Sequence, residues 1–314
     1  MRLNDILLFI VVFASMAVAV LYPQTGVMFQ DYLLYLMMVL LFLSFLKIDF
    51  KALVERSVPE VARLSLLVVV KLIVLPGLMY AIAQATMPEY AVPVLLISGI
   101  STGVVAPFMA TLLSADVVVV LRMVIVTSVL VPFTLPTMVK ILAGAHMEIP
   151  VEMMVRMLGL VIFVPMGAVL VFKRLFPGLP DRIAERQFPI ALVLFAVINL
   201  GVFSKYSHFF FQNPGKLITS VIVAFVASVA YYVFGFAFGS VFPRHRNVRD
   251  QVAAAVSFAI INNVLVIVFA SRFFGPLAPT VAAMYMFPYY ALIVPARLIV
   301  NRLEAQDADD EGAP

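Results

Sequence analysis

Apolar runs about the length of a membrane crossing, separated by short polar breaks, set the pattern of the chain. They fall at 4–22, 27–46, 61–85, 91–113, 116–139, 151–172, 188–211, 217–241, 250–272 and 277–299. A helix rises ~1.5 Å per residue, so roughly 20 apolar residues cross a ~30 Å hydrocarbon layer. The pattern therefore predicts ten membrane-spanning helices. The breaks carry turn chemistry: Tyr-Pro-Gln-Thr-Gly at 22–26, Met-Pro-Glu at 87–89, Phe-Pro-Gly-Leu-Pro at 176–180, Gln-Asn-Pro-Gly at 212–215, and Gly275-Pro276. No interval is long enough for a soluble domain. Residues 304–314 are acidic, lack apolar periodicity and read as a disordered tail. Asp5 sits where a signal peptide would be basic, so the first run reads as a retained helix. The expected fold class is all-α and polytopic.

Two of the runs are interrupted. Val256-Ser-Phe-Ala-Ile-Ile-Asn-Asn-Val-Leu-Val266 places two adjacent amides, Asn262 and Asn263, deep in an apolar stretch. Lipid offers them no partner, and an unpaired amide there costs several kcal/mol. Adjacent residues lie about 100° apart on a helix, so both cannot face one neighbour. A local opening that lines an enclosed polar pocket is one solution; interhelical hydrogen bonding is the other. The fourth run contains Ser98-Gly-Ile-Ser-Thr-Gly-Val-Val-Ala-Pro107, and Pro107 disfavours helix at the residue before it. Ten spans divide into halves of five, 1–145 and 146–303. An odd number per half makes the second enter from the opposite side, the arithmetic of an inverted repeat. Runs four and nine then correspond. Paired interruptions in matching positions point to a binding site near the membrane midplane.

Charge refines this picture. The chain of 314 residues is 64% hydrophobic and only 12% charged, against roughly 25% charged in a soluble domain. Arg2; Lys47, Lys51 and Arg56; Lys173, Arg174, Arg182 and Arg186; Arg244, Arg246 and Arg249; and Arg302 all fall on one side of the predicted topology. Only Lys140, Lys205, Lys216 and Arg272 fall on the other. The positive-inside rule then puts both termini in the cytoplasm, in the inner membrane if the cell is bacterial. The same rule accounts for the net charge of +4 without nucleic acid. Cysteine is absent, and His146, His208 and His245 lie between runs or at their ends, so no metal site or cofactor is expected.

Lys71 is the exception to this charge pattern. It stands in Leu67-Val-Val-Val-Lys-Leu-Ile-Val-Leu-Pro76, roughly 15 Å into its span at ~1.5 Å per residue. A charge at that depth costs at least about 2.5–3.5 kcal/mol. It can bond to carbonyls at opened helix ends, lose its proton, or pair with an anionic substrate; a purely structural tether between helices is the plainer reading. Arg122 lies about two turns into the fifth run and can snorkel back, Arg156 reads as an interfacial anchor, Asn199 as packing glue, and the aromatics near span ends as interfacial belts.

Ala106-Pro-Phe-Met-Ala-Thr-Leu-Leu-Ser-Ala-Asp116, then Thr127-Ser128, Pro132 and Pro136, resembles the bile acid:sodium symporter family and its wider superfamily. Lys71 before Pro76, Phe42-Leu-Ser-Phe-Leu-Lys-Ile-Asp-Phe50 and Asn262-Asn263 follow in the family's order. The resemblance implies two inverted five-helix repeats, with spans four and nine interrupted and crossing. Spans 3–5 and 8–10 would form a core, spans 1, 2, 6 and 7 a panel, and substrate would bind at the crossing. It implies substrate contacts at Lys71, Thr102, Ala106, Pro107, Asn262 and Asn263. The family's sodium ligands fall at Lys71, Ala106, Pro107, Val120, Val124 and Phe258. Those side chains give a sodium ion no oxygen ligand, so the family's usual coupling is not expected. An ammonium at Lys71 would stand where a sodium ion sits in relatives.

The expected function is secondary transport of a small or amphipathic organic anion by alternating access, proton-linked or facilitative. The expected partners are the lipid bilayer, that anion and a proton. A non-transporting sensor of the same fold and a sodium-coupled symporter of bile-acid-like anions are the alternatives. An enzyme is not expected: no His-Glu-x-x-His, mid-membrane aspartate pair, or serine beside a buried histidine is present.

Overall fold

A computed structural model describes residues 3–48, 58–144, 150–240, 248–292 and 295–302. The first run forms α1 (Leu3–Leu21). The second starts as α2 (Gln24–Val27), passes through a 3-10 turn and continues as α3 (Leu33–Leu46). The third is α4 (Val58–Val69), a π-helical turn over Val70–Val74, and α5 (Leu75–Thr86). The fourth is divided into α6 (Pro88–Gly99) and α7 (Ala106–Leu112). Next come α8 (Val117–Ala143) and α9 (Val151–Leu175). The turn expected at 176–180 opens a further short helix, α10 (Leu179–Arg186). The seventh run bends between α11 (Phe188–Ser204) and α12 (Ser207–Gln212), and the eighth is the unbroken α13 (Pro214–Gly239). The ninth is divided into α14 (Val248–Ala259) and α15 (Asn263–Phe273). The tenth, expected as one helix, is segmented into α16 (Leu277–Met284), α17 (Met286–Ala291) and a helical stretch over 295–302.

Five helical segments are long and apolar enough to cross a membrane: Gln24–Leu46, Glu60–Thr86, Val117–Ala143, Val151–Leu175 and Pro214–Gly239. Ile10–Leu21, Phe188–Ser204, Asn263–Phe273 and Leu277–Pro288 are shorter apolar helices. No strand forms among the described residues. The tail at 304–314, the division between halves at 145–146, His146, His245, and the loop cations Arg2, Lys51, Arg56, Arg244 and Arg246 lie outside the described residues.

Local chemistry explains the irregularities that shape the interior. Pro76 has no N–H to offer the carbonyl four residues back, and its ring would crowd that carbonyl. The preceding turn widens instead, and the Leu75 N–H reaches the Val70 carbonyl, five residues back. Asp116 caps α8 by accepting from the Val118 and Val119 N–H groups at 2.8 and 3.1 Å. α13 lies closely on α14: a Cβ at Gly235 would come within 2.7 Å of the Ala255 Cα. Small residues permit such backbone approach where lipid supplies no hydrophobic drive between helices. Asn199 does act between helices. Its Nδ2 on α11 donates to the Val12 carbonyl and Ser15 hydroxyl of α1 at 3.4 and 3.3 Å.

Candidate functional site

The two broken helices meet at their breaks. After Gly99 the backbone turns extended at Ile100, and Thr102 forms an antiparallel bridge with Ile261. The Gly103 N–H donates to the Ile260 carbonyl at 2.7 Å, and the Asn262 N–H donates to the Ser101 carbonyl at 2.9 Å. Each break thus supplies partners for backbone groups that helix no longer satisfies. Glycine is required at 103, where a Cβ would lie 2.5 Å from the Ile261 carbonyl oxygen. Pro107 occupies the first turn of α7, where its missing N–H costs nothing. Asn262 caps α15, its Oδ1 accepting from the Leu265 N–H at 3.4 Å.

Side chains close the crossing. The Thr102 hydroxyl donates to the Ser257 carbonyl at 2.7 Å, and its N–H donates to the Thr127 hydroxyl at 3.0 Å. This joins α8 to both breaks. The Tyr285 hydroxyl donates to the Ala259 carbonyl, at the end of α14, at 2.8 Å. Lys71 projects from the π turn, is wholly buried, and its Nζ donates to the Ser98 carbonyl at 2.8 Å. That carbonyl is among the last of α6, which no intrahelical N–H reaches. A cation there also meets the negative end of the helix dipole. Of the three options for a mid-membrane lysine, the geometry displays bonding to an opened helix end. The amine is enclosed by protein.

Thr102 and Ala106 are fully buried, Asn262 and Asn263 nearly so, and Pro107 partly. The Asn263 amide and the hydroxyls of Ser101 and Ser128 are buried without a hydrogen-bond partner. Each belongs to, or adjoins, a residue that bonds across the crossing, which makes this a polar patch within an apolar interior. Native proteins leave few such groups unsatisfied, so each calls for an explanation. Val120, Val124 and Phe258 are fully buried in the hydrophobic core. Arg122 points elsewhere, its Nη1 lying 3.0 Å from Glu60 on α4.

Residues 32–213, more than half of the chain, match the sodium bile acid symporter family. The chain belongs to this family. Its members are membrane transporters, not enzymes, and the apolar helices described above make this an integral membrane protein. No curated protein matches the chain. The matched region includes Lys71, the first break and all of α8; the second break lies beyond it.

The sequence reading missed Tyr231 and Tyr285. Lys71 Nζ lies 5.7 Å from the centroid of the Tyr231 ring, and that ring lies 5.9 Å from Tyr285. It also missed Arg63, whose Nη1 lies 3.0 Å from Asp250 at the start of α14. A tyrosine within an apolar run was the available signal for the first two, since a buried hydroxyl seeks a partner. An acid and a base at the starts of two runs was the signal for the pair.

Proposed function

We propose that the protein is a secondary transporter of a small organic anion, working by alternating access without the sodium coupling usual in its family. In this reading 1–145 and 146–303 are two inverted five-helix repeats, both termini are cytoplasmic, and the substrate binds at the crossing. Asn262 and Asn263, with Thr102, Ala106 and Pro107, form the substrate surface. Lys71 acts from behind it as a fixed cation and can exchange a proton during the cycle. A carboxylate or sulfonate roughly 8 Å from a buried ammonium gains about 2 kcal/mol at an effective dielectric of ~20.

The observation that carries this reading is the fully buried amine of Lys71 at the end of α6. Its Nζ is bound to the Ser98 carbonyl, while Ala106, Val120, Val124 and Phe258 offer only buried hydrocarbon where sodium would need oxygen. Flux into proteoliposomes, measured with a panel of carboxylates and sulfonates, tests it. Sodium and pH gradients are imposed separately. Uptake that ignores sodium and responds to pH is the expected result. Strict sodium dependence would sink the reading, and binding without flux for every anion would favour a sensor instead.

A further inference from the structure

We infer that Tyr231 is a positioning residue that ties the ends of the two broken helices together through its ring. It lies on α13, outside both breaks, and is completely buried. The Lys71 ammonium sits over its ring at 5.7 Å from the centroid, within the range in which an aromatic face attracts a cation. Tyr285 packs against the same ring with centroids 5.9 Å apart and planes tilted by 30°. The Tyr285 hydroxyl in turn meets the Ala259 carbonyl. A continuous path therefore runs from the Ser98 carbonyl, through Lys71, Tyr231 and Tyr285, to the end of α14.

The chemistry assigns the work to the ring. An ammonium has three N–H groups, and Lys71 directs one at the Ser98 carbonyl. A desolvated cation gains most from a π face, because no water competes for it. The Tyr231 hydroxyl is buried and forms no hydrogen bond of normal geometry, although Ser98 is its polar neighbour. Phenylalanine would keep everything this role needs and would remove an unsatisfied hydroxyl. Leucine would remove the π face. This deepens the proposal above, since it rests on Lys71 serving as the fixed cation of that site.

A double-mutant cycle on the full chain, purified in detergent and melted in sodium-free choline chloride, tests it. Tyr231→Phe is expected to melt with the wild type or slightly above it. Tyr231→Leu is expected to melt several degrees lower. In a Lys71→Met background that loss should shrink to less than half, because the cation is gone. Tyr231→Met, of about leucine's size but unbranched and also without a π face, runs through the same cycle and should behave as leucine does. Equal losses in both backgrounds would show simple packing and overturn the inference. So would a phenylalanine variant that falls as far as leucine. Melting the wild type in sodium chloride separates the two proposals. A sodium-dependent rise would count against sodium-independent transport, while the cycle would still report on Tyr231.

Discussion

The two breaks cross one another but are finished by different chemistry. At the first, α6 ends on a charged amine delivered from a π turn of the preceding helix. At the second, α14 ends on neutral hydroxyls, Thr102 at the Ser257 carbonyl and Tyr285 at the Ala259 carbonyl. Both sets satisfy carbonyls that no helix reaches. Only the first places a full charge in the interior, where desolvation is costly and solvent screening is weak. The crossing is therefore electrically lopsided, although its backbone pairing is nearly reciprocal.

The strongest way to break this arrangement is to part the breaks themselves. Gly103→Val would drive a side chain into the Ile261 carbonyl. We expect a loss of at least about 3 kcal/mol, since backbone has less freedom to yield than a core side chain. A protein that does not survive purification, or melts far below the wild type, would meet that expectation. A normal melt would mean the two backbones separate easily.

Removing the charge comes next. Lys71→Gln keeps a donor but loses the ammonium, and should cost about 2 kcal/mol, the scale for a hydrogen bond to a charged group. It should also weaken anion binding in proteoliposomes without creating sodium-driven uptake, because Ala106, Val120, Val124 and Phe258 remain. The appearance of sodium-driven uptake would contradict the account of those positions. The neutral side should respond least. Tyr285→Phe removes one hydroxyl from the Ala259 carbonyl, and we expect about 1 kcal/mol. If its thermal midpoint fell further than that of Lys71→Gln, the contrast between charged and neutral ends would be reversed.

Much of this site was legible in the sequence because it violates the apolar pattern. Asn262-Asn263 and the Gly-rich stretch before Pro107 are expensive in continuous lipid-facing helix, and both mark openings in the structure. Lys71 stood out by depth alone. Its partner did not, since the Ser98 carbonyl is a backbone group and carries no sequence signature. Tyr231 and Tyr285 were hidden for a related reason. Nothing along the chain says that α13 brings one ring beside an amine from the third run, or that the end of α16 packs the other against it. The segmentation of the last run was also missed, because apolar composition fixes where helix forms but not how many pieces it takes. The Arg63–Asp250 and Arg122–Glu60 pairs join residues far apart in the chain, and charge pattern alone pointed to the bilayer surface.

The widened turn at Val70–Val74 has a consequence for how this region can vary. A π turn holds one residue more than the α-helical turn it replaces. Deleting a single residue there would restore ordinary winding and leave the helices on either side facing nearly as before, because an i→i+4 turn sweeps about the same angle as the i→i+5 turn it replaces. Removing Val70 would move Lys71 back one position, about 100° around the axis and away from the Ser98 carbonyl, while the hydropathy of the segment scarcely changed. The place of the lysine within the widened turn, rather than composition, is thus what keeps it aimed.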